Sequence, residues 1–268
     1  MGKNTTLNKE RLLYFINHFL DHYPPFFSLI RSQEAYFFSK HTKLKKPSLD
    51  FGCGDGYFAK TCFEGSTIDV GLDVIQSRIN ESKKENIYRE TIIYDGNIIP
   101  FPSSYFSTVV SNCVLEHITH IDKTLAEISR VTKKNGLFYT TVMAARWDKA
   151  TLGNKIFGRS YQTFMRKQQV HINLLTPKQW RKAFENVGFE VVDEVGYLSD
   201  TNSLWLDIMH YFSIPSLIEY KFFGRWTLMS SLLRATRFDR FVKSKISIPI
   251  KASRSAAIWY ILKKKHSA

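Results

Sequence analysis

Apolar positions along this chain follow two alternating patterns. Short apolar runs bounded by glycine, proline or acidic residues recur near 47–51, 68–72, 89–94, 106–112 and 135–143, and Phe189 to Tyr197 forms a sixth. Runs of this length and composition read as strands buried on both faces. Between them lie stretches with helical spacing. One begins near Leu125. Another opens at Thr176-Pro177, with threonine as N-cap and proline at the first helical position, and stops at Gly188. Strand alternating with helix predicts an α/β fold on a parallel sheet.

The first strand runs into Gly52, Gly54 and Gly56 within Leu-Asp-Phe-Gly-Cys-Gly-Asp-Gly-Tyr-Phe-Ala, residues 49–59, and a helical stretch starts at Tyr57. Glycines let such a turn take positive φ and let a ligand approach the backbone. The helix start adds free N–H groups and a partial positive charge. This turn suits a nucleoside-bearing cofactor. The dinucleotide fingerprint fails when counted from Gly52, because Tyr57 stands at the third glycine. It fits in relaxed form from Gly54 through Gly56 and Ala59. The glycines alone leave the cofactor open. Asp50, Asp73 and Asp95 are spaced 23 and 22 positions apart, one strand-helix unit each. Each acid falls at the C-terminal end of a strand, where open α/β sheets bind ligands.

The ordered set resembles the class I S-adenosylmethionine (SAM) dependent methyltransferases over residues 47–198. Asp50 matches the acid before the family's glycines, Asp73 the ribose-binding acid after the second strand, and Asp95 the acid near the adenine. Phe106 to Ile118 looks like the family's fourth strand and Leu-Glu-His turn. Leu125 to Val142 looks like its helix, basic-Asn-Gly turn and fifth strand. The resemblance implies a Rossmann-like, seven-stranded, mostly parallel sheet with helices on both faces and an antiparallel last strand. It implies SAM as cofactor, bound by Asp50, Gly52, Cys53, Gly54, Gly56, Tyr57, Asp73, Val74, Asp95, Gly96, Asn97, Asn112 and Cys113. His117, in the Leu-Glu-His turn, and His171 fall where an acceptor's proton would be removed, with His171 slightly favoured because a lid residue can close over the acceptor. The turn also partly resembles quinone-biosynthesis O-methyltransferases, which hold a metal with Glu-x-x-Glu-His. Glu116 and His117 match the last two ligands, but Cys113 replaces the first, so no metal is expected.

Four segments follow. Residues 1–46 form a helical cap: Leu12, Leu13, Phe15, Ile16, Phe19 and Leu20 fit a helix face, Pro24-Pro25 breaks it, and a second helix runs from about Phe26 to Lys40. Residues 47–198 are the SAM-binding core, interrupted at 144–175 by a basic, aromatic stretch that reads as a loop over the acceptor. Residues 199–254 form a helical insertion rich in large apolar residues, Leu204 and Trp226 among them, followed by Arg234, Arg237 and Arg240. Residues 255–268 carry the final strand, near Ala256 to Lys263, and a basic tail.

Composition narrows the partners. Net charge is +14 over 268 residues, which implies attraction to polyanions. Three scattered cysteines make neither a disulfide framework nor a zinc site. No apolar run is long enough to span a bilayer, and the polar N-terminus lacks a signal core, so a cytoplasmic protein is expected. The apolar and basic insertion suits the plane of an anionic membrane, the inner membrane face, as well as a cap or dimer contact. The expected function is methyl transfer to a small-molecule acceptor, a glycan, lipid-linked molecule or secondary metabolite, with oxygen favoured. The alternatives are an RNA (tRNA) methyltransferase, suggested by charge but lacking the Asn/Asp-Pro-Pro-Tyr signature, and a SAM-binding regulatory protein without turnover. The oligomeric state is not readable.

Overall fold

The computed structural model describes residues 8–213, 216, 222, 233, 235–246 and 248–265. Seven strands form one sheet in the order β3-β2-β1-β4-β5-β7-β6. They are β1 (Ser48–Phe51), β2 (Ile68–Asp73), β3 (Tyr88–Ile93), β4 (Phe106–Asn112), β5 (Thr132–Met143), β6 (Phe189–Gly196) and β7 (Ala257–Lys264). β1 to β5 pair in parallel. β7 lies antiparallel between β5 and β6. This is the expected Rossmann-like sheet with a reversed last strand. The strand order turns back between β1 and β4, which opens a crevice at their C-terminal ends.

The helices are α1 (Lys9–His22), α2 (Pro25–His41), α3 (Tyr57–Cys62), α4 (Gln76–Ser82), α5 (Ile121–Val131), α6 (Trp147–Ala150), α7 (Leu152–Phe157), α8 (Arg159–Gln168), α9 (Pro177–Asn186), α10 (Asp200–Phe212) and α11 (Phe238–Lys245). α1 starts where Asn8 accepts from the amides of Glu10 and Arg11. α9 starts at a complete capping box of Thr176 and Gln179 with Pro177 inside it. α5 and α9 cover one sheet face with Leu125, Ile128, Trp180 and Phe184. α1, α2 and α3 cover the other, joined by Leu206 and Met209 of α10 and Val242 of α11. Phe38 meets Trp259 of β7 edge-on at 4.5 Å, and Tyr139 of β5 stacks beside it at 5.9 Å. Each fully buried side chain of this size contributes about 1.5–3 kcal/mol. The N-terminal segment is therefore part of the core.

Two expectations need correction. The turn before the fifth strand does not separate it from its predecessor: β5 begins at Thr132, and the Lys-Lys-Asn-Gly residues form a bulge between the Phe106–Thr132 and Thr108–Leu137 pairs, with Asn135 at φ 60°. The stretch 144–175, expected as a loop, is largely helical, built from α6, α7 and α8. It folds because Trp147, Tyr161 and Met165 bury their side chains. Of the insertion 199–254, the structure describes α10, α11 and the turn Ala252–Arg254. Trp226 and Arg234 lie outside the described residues.

Candidate functional site

A cavity of about 690 Å³ opens at the C-terminal ends of β1, β2 and β4. Its floor is the glycine turn. Gly52, at φ +74°, sits so close to Val114 that a Cβ would come within 2.4 Å of a valine methyl. Gly54, at φ +56°, faces open space instead, which leaves room for a ligand against the backbone. The Gly54 amide donates to Asp73 Oδ2 at 2.9 Å, and the Ile75 amide donates to Asp73 Oδ1 at 3.0 Å. Asp73 thus fixes the turn with one hydrogen bond per oxygen. Each oxygen keeps a second acceptor site, matching a ribose diol.

Asp50 lies beneath the turn. Burial pushes its carboxyl up to about 7, against the Tyr88 hydroxyl that donates to it at 2.7 Å and with the Asp73 charge adding to the rise. A cationic group in the cavity would restore its charge.

Asp50, Gly52, Cys53, Gly54, Asp73, Val74, Asn112, Cys113 and His117 all line the cavity. Gly56, Tyr57, Asp95, Gly96, Asn97 and His171 do not. Tyr57 turns the other way: its hydroxyl donates to the His18 carbonyl at 3.1 Å and its ring stacks on His22 at 3.6 Å. Asp95 closes an exposed turn, accepting from the amides of Asn97 and Ile98, and those bonds hold its carboxyl below the usual range.

The far wall comes from the N-terminal cap and from the stretch expected over the acceptor, through residues to which the sequence assigned no site role. Tyr23, Phe27 and Arg31 of the N-terminal cap line the cavity, with Gln169 and Val170 from the end of α8. Arg31 pairs with the fully buried Glu34 at 2.6 Å and lies over the Phe27 and Phe58 rings at 5.5 and 5.9 Å. Glu34 also accepts from Asn112 at 2.9 Å, from the Cys113 thiol at 3.0 Å and from the Tyr197 hydroxyl at 2.9 Å. Burial pushes the Cys113 thiol up, so it serves as a donor and not as a thiolate. A charged pair set among Leu29, Ile30, Phe37 and Phe38 of an apolar helix was the signal for this wall, because such charges are buried only with partners.

Beside this wall, the chain brings Glu116, His117 and His171 together, with one ligand-capable atom of each within 4.8 Å of the others. Asparagine and isoleucine amides at 173 and 172 donate to the Glu116 carbonyl at 2.9 and 2.8 Å, which ties the two turns. His117 is exposed and its Nδ1 lies 3.0 Å from the Val170 carbonyl. A carbonyl only accepts, so Nδ1 carries the proton and Nε2 is the basic nitrogen. His171 stacks behind it at 5.3 Å. Burial, with the His117 and Arg166 charges, lowers His171 to about 3. Burial raises the Glu116 carboxyl. Glu116 Oε2 and His171 Nδ1 are both buried and find no hydrogen-bond partner. His171 stands behind the His117 ring and is not among the residues that line the cavity.

Residues 25–194 match the protein family described as methyltransferase domain, and the chain belongs to that family. It is 24% identical over 194 residues to a probable S-adenosylmethionine-dependent methyltransferase of Mycolicibacterium smegmatis, covering 68% of this chain and 70% of that one. A malonyl-[acyl-carrier protein] O-methyltransferase of Serratia marcescens is 26% identical, over 36% of this chain and 38% of its own length. Other curated relatives are matched over as little as 27% of their length. A Thermotoga maritima structure titled as a SAM-dependent methyltransferase and possible histamine N-methyltransferase shares the fold, with a TM-score of 0.59, 13% identity, and 95% of this chain and 100% of that chain covered. The family implies SAM as methyl donor. The free acceptor sites of Asp73, the open space over Gly54 and the cation at Arg31 fit that group.

Proposed function

We propose that the protein transfers a methyl group from SAM to an oxygen of a small-molecule acceptor, a glycan, lipid-linked molecule or secondary metabolite. When bound, SAM supplies a methyl group on a positively charged sulfur. Asp73 accepts from the two ribose hydroxyls. Gly52 and Gly54 offer backbone against the ligand. Arg31 holds the carboxylate of the amino-acid end and Asp50, ionised in the presence of a cation, holds its ammonium. Glu34 keeps Arg31 in place through their ion pair and ties it to Asn112 at the end of β4.

The observation that carries the acceptor reading is the orientation of His117. With Nδ1–H given to Val170, its Nε2 can take a proton from an acceptor hydroxyl as that oxygen attacks the methyl group. In-line displacement needs alignment above all, and the walls at Phe27, Asn112 and Val170 supply it. Glu116 and His171 orient the turn that carries His117.

Incubating cell extract with isotopically labelled SAM and following the label by mass spectrometry tests this reading. Label on an oxygen of a small molecule, with release of S-adenosylhomocysteine, is expected. Label confined to RNA, or no release at all, overturns it.

A further inference from the structure

Six of the exposed large apolar side chains lie on α7, on α8 and its end, and at the end of α10. Ile156 and Phe157 end α7, Phe164 lies on α8, Val170 follows α8, and Tyr211 and Phe212 end α10. Phe157 is 67% and Phe212 76% exposed. These elements are joined. Asp207 of α10 accepts from the Gly153 amide at 2.9 Å and from the Tyr161 hydroxyl, and the Tyr211 hydroxyl donates to Tyr161 at 2.8 Å. The Tyr161 ring lies 6.4 Å from Phe164. Gly153 is needed for this junction, since a Cβ there would enter the Tyr161 ring. Lys155, Arg159 and Lys167 are exposed among the apolar residues, while Arg166 is paired with Asp148. The patch ends at Val170, which is itself part of the cavity wall.

Monomer surfaces rarely gather apolar side chains in this way without a partner. Apolar projections interleaved with lysine and arginine match a surface that is apolar below and anionic above. We propose that the α7–α8 face, with the end of α10, docks on an anionic lipid surface and turns the cavity rim at Val170 toward acceptors borne there. This deepens the lipid-linked form of the function proposed above and rests on it. Exposed isoleucine and phenylalanine favour a bilayer over RNA, which charge alone would attract. The site also differs from the one that sequence suggests. Arg237, just before α11, and Arg240 within it are exposed, but among the described residues of α11 no large apolar side chain is exposed beside them. Among the described residues, no helix is long and apolar enough to cross a membrane, so this contact lies in the interface plane.

Sedimentation with phosphatidylcholine vesicles, with and without phosphatidylglycerol, tests the proposal. The full-length protein should pellet only with the anionic vesicles, and added salt should release it. Combining Phe157→Ser with Phe164→Ser should lower partition about tenfold or more. Changing Lys155, Arg159 and Lys167 to serine should lower it roughly fivefold per charge. S-adenosylhomocysteine affinity, measured in each variant, reports the cofactor cavity separately, so loss of docking and failure of the methyltransferase reading are distinguishable. Absence of pelleting at low salt overturns the proposal. So do binding that depends on Arg237 and Arg240 alone, RNA retention without vesicle binding, and a dimer that Phe157→Ser dissociates.

Discussion

The cavity has two halves with different origins. One is built by consecutive strand ends, with Gly52 and Gly54 after β1 and Asp73 at the end of β2. The other is assembled from distant pieces: Arg31 from α2, His117 from the turn after β4, and Val170 from the end of α8. In the first half, backbone geometry makes the site. In the second, side chains meet because helices pack over the sheet. A half made of backbone tolerates little change in sequence but carries little information about the acceptor. In the function proposed above, the half made of packed side chains is the one that would distinguish acceptors.

The largest expected effect falls on the assembled half. His117→Gln should retain S-adenosylhomocysteine affinity and lose turnover by about 10²–10⁴-fold. His171→Gln should lose less, because that ring stands behind His117 and outside the cavity wall. A His117 variant fully active at neutral pH would leave alignment as the only contribution of this half. The three groups at Glu116, His117 and His171 could also hold an ion. In the proton-transfer reading, EDTA treatment and metal addition leave turnover unchanged, and restoration by a divalent ion would reassign the trio.

Asp50 gives the next effect, on stability. Its folded carboxyl, at about 7, is above the ordinary value of 3.8. The folded state binds this proton more tightly than the unfolded state does. The resulting stability is therefore complete below pH 4 and disappears as pH rises through 7. The span corresponds to something on the order of 4 kcal/mol. Asp50→Asn removes the titration and keeps an acceptor for Tyr88. The difference in Tm between variant and wild type should grow in the variant's favour from pH 4 to pH 8 without ligand, and shrink with S-adenosylmethionine. A difference independent of pH would show that Asp50 stays charged in the empty cavity.

How far each half could be read from sequence follows from the same contrast. The strand-ending acids and the glycine turn are local, so spacing reveals them, and Asp50 and Asp73 do line the cavity. Asp95, Gly96 and Asn97 obey the same spacing but lie on an exposed turn, because periodicity fixes where a strand ends and not where the following loop points. Tyr57 follows the turn, yet its ring faces α1. His117 was legible as a residue but not in its role relative to His171, because a ring's neighbours depend on how α8 returns to the sheet. Glu34 and Arg31 were passed over because α2 reads as an apolar helix. Apart from Arg31, the partners of Glu34 lie 78 or more positions away. The fold itself was more legible than the site, since strand and helix periods survive small errors in boundaries that would misplace a side chain.

Asp73 sharpens the backbone half. Replacing it with alanine removes the acceptor of the ribose diol and frees the Gly54 and Ile75 amides together. The expected cost is about 1.5–3 kcal/mol of S-adenosylmethionine affinity by calorimetry. Unchanged affinity in a folded variant would refute the assignment of this end of the cavity.

Arg31 gives the smallest effect and the finest division between the halves. It lies at the seam, over the Phe58 ring of the helix that follows the glycine turn, while its ion pair with Glu34 reaches toward β4. If it holds the cofactor's carboxylate, its loss should matter only to ligands that have one. Arg31→Gln should weaken S-adenosylhomocysteine roughly tenfold, near the lower end for a hydrogen bond to a charged group, because Glu34 already holds part of the guanidinium charge. Methylthioadenosine has the same nucleoside but no amino-acid end, and its affinity should not change. Equal losses for both ligands would mean that Arg31 acts by positioning α2 over the cavity. No loss for either, with acceptor KM raised instead, would move Arg31 to the acceptor and imply an acceptor that carries an anionic group. Glu34→Gln provides the internal control: it frees Arg31 from its partner and should therefore leave the nucleoside affinity unchanged while shifting the difference between the two ligands.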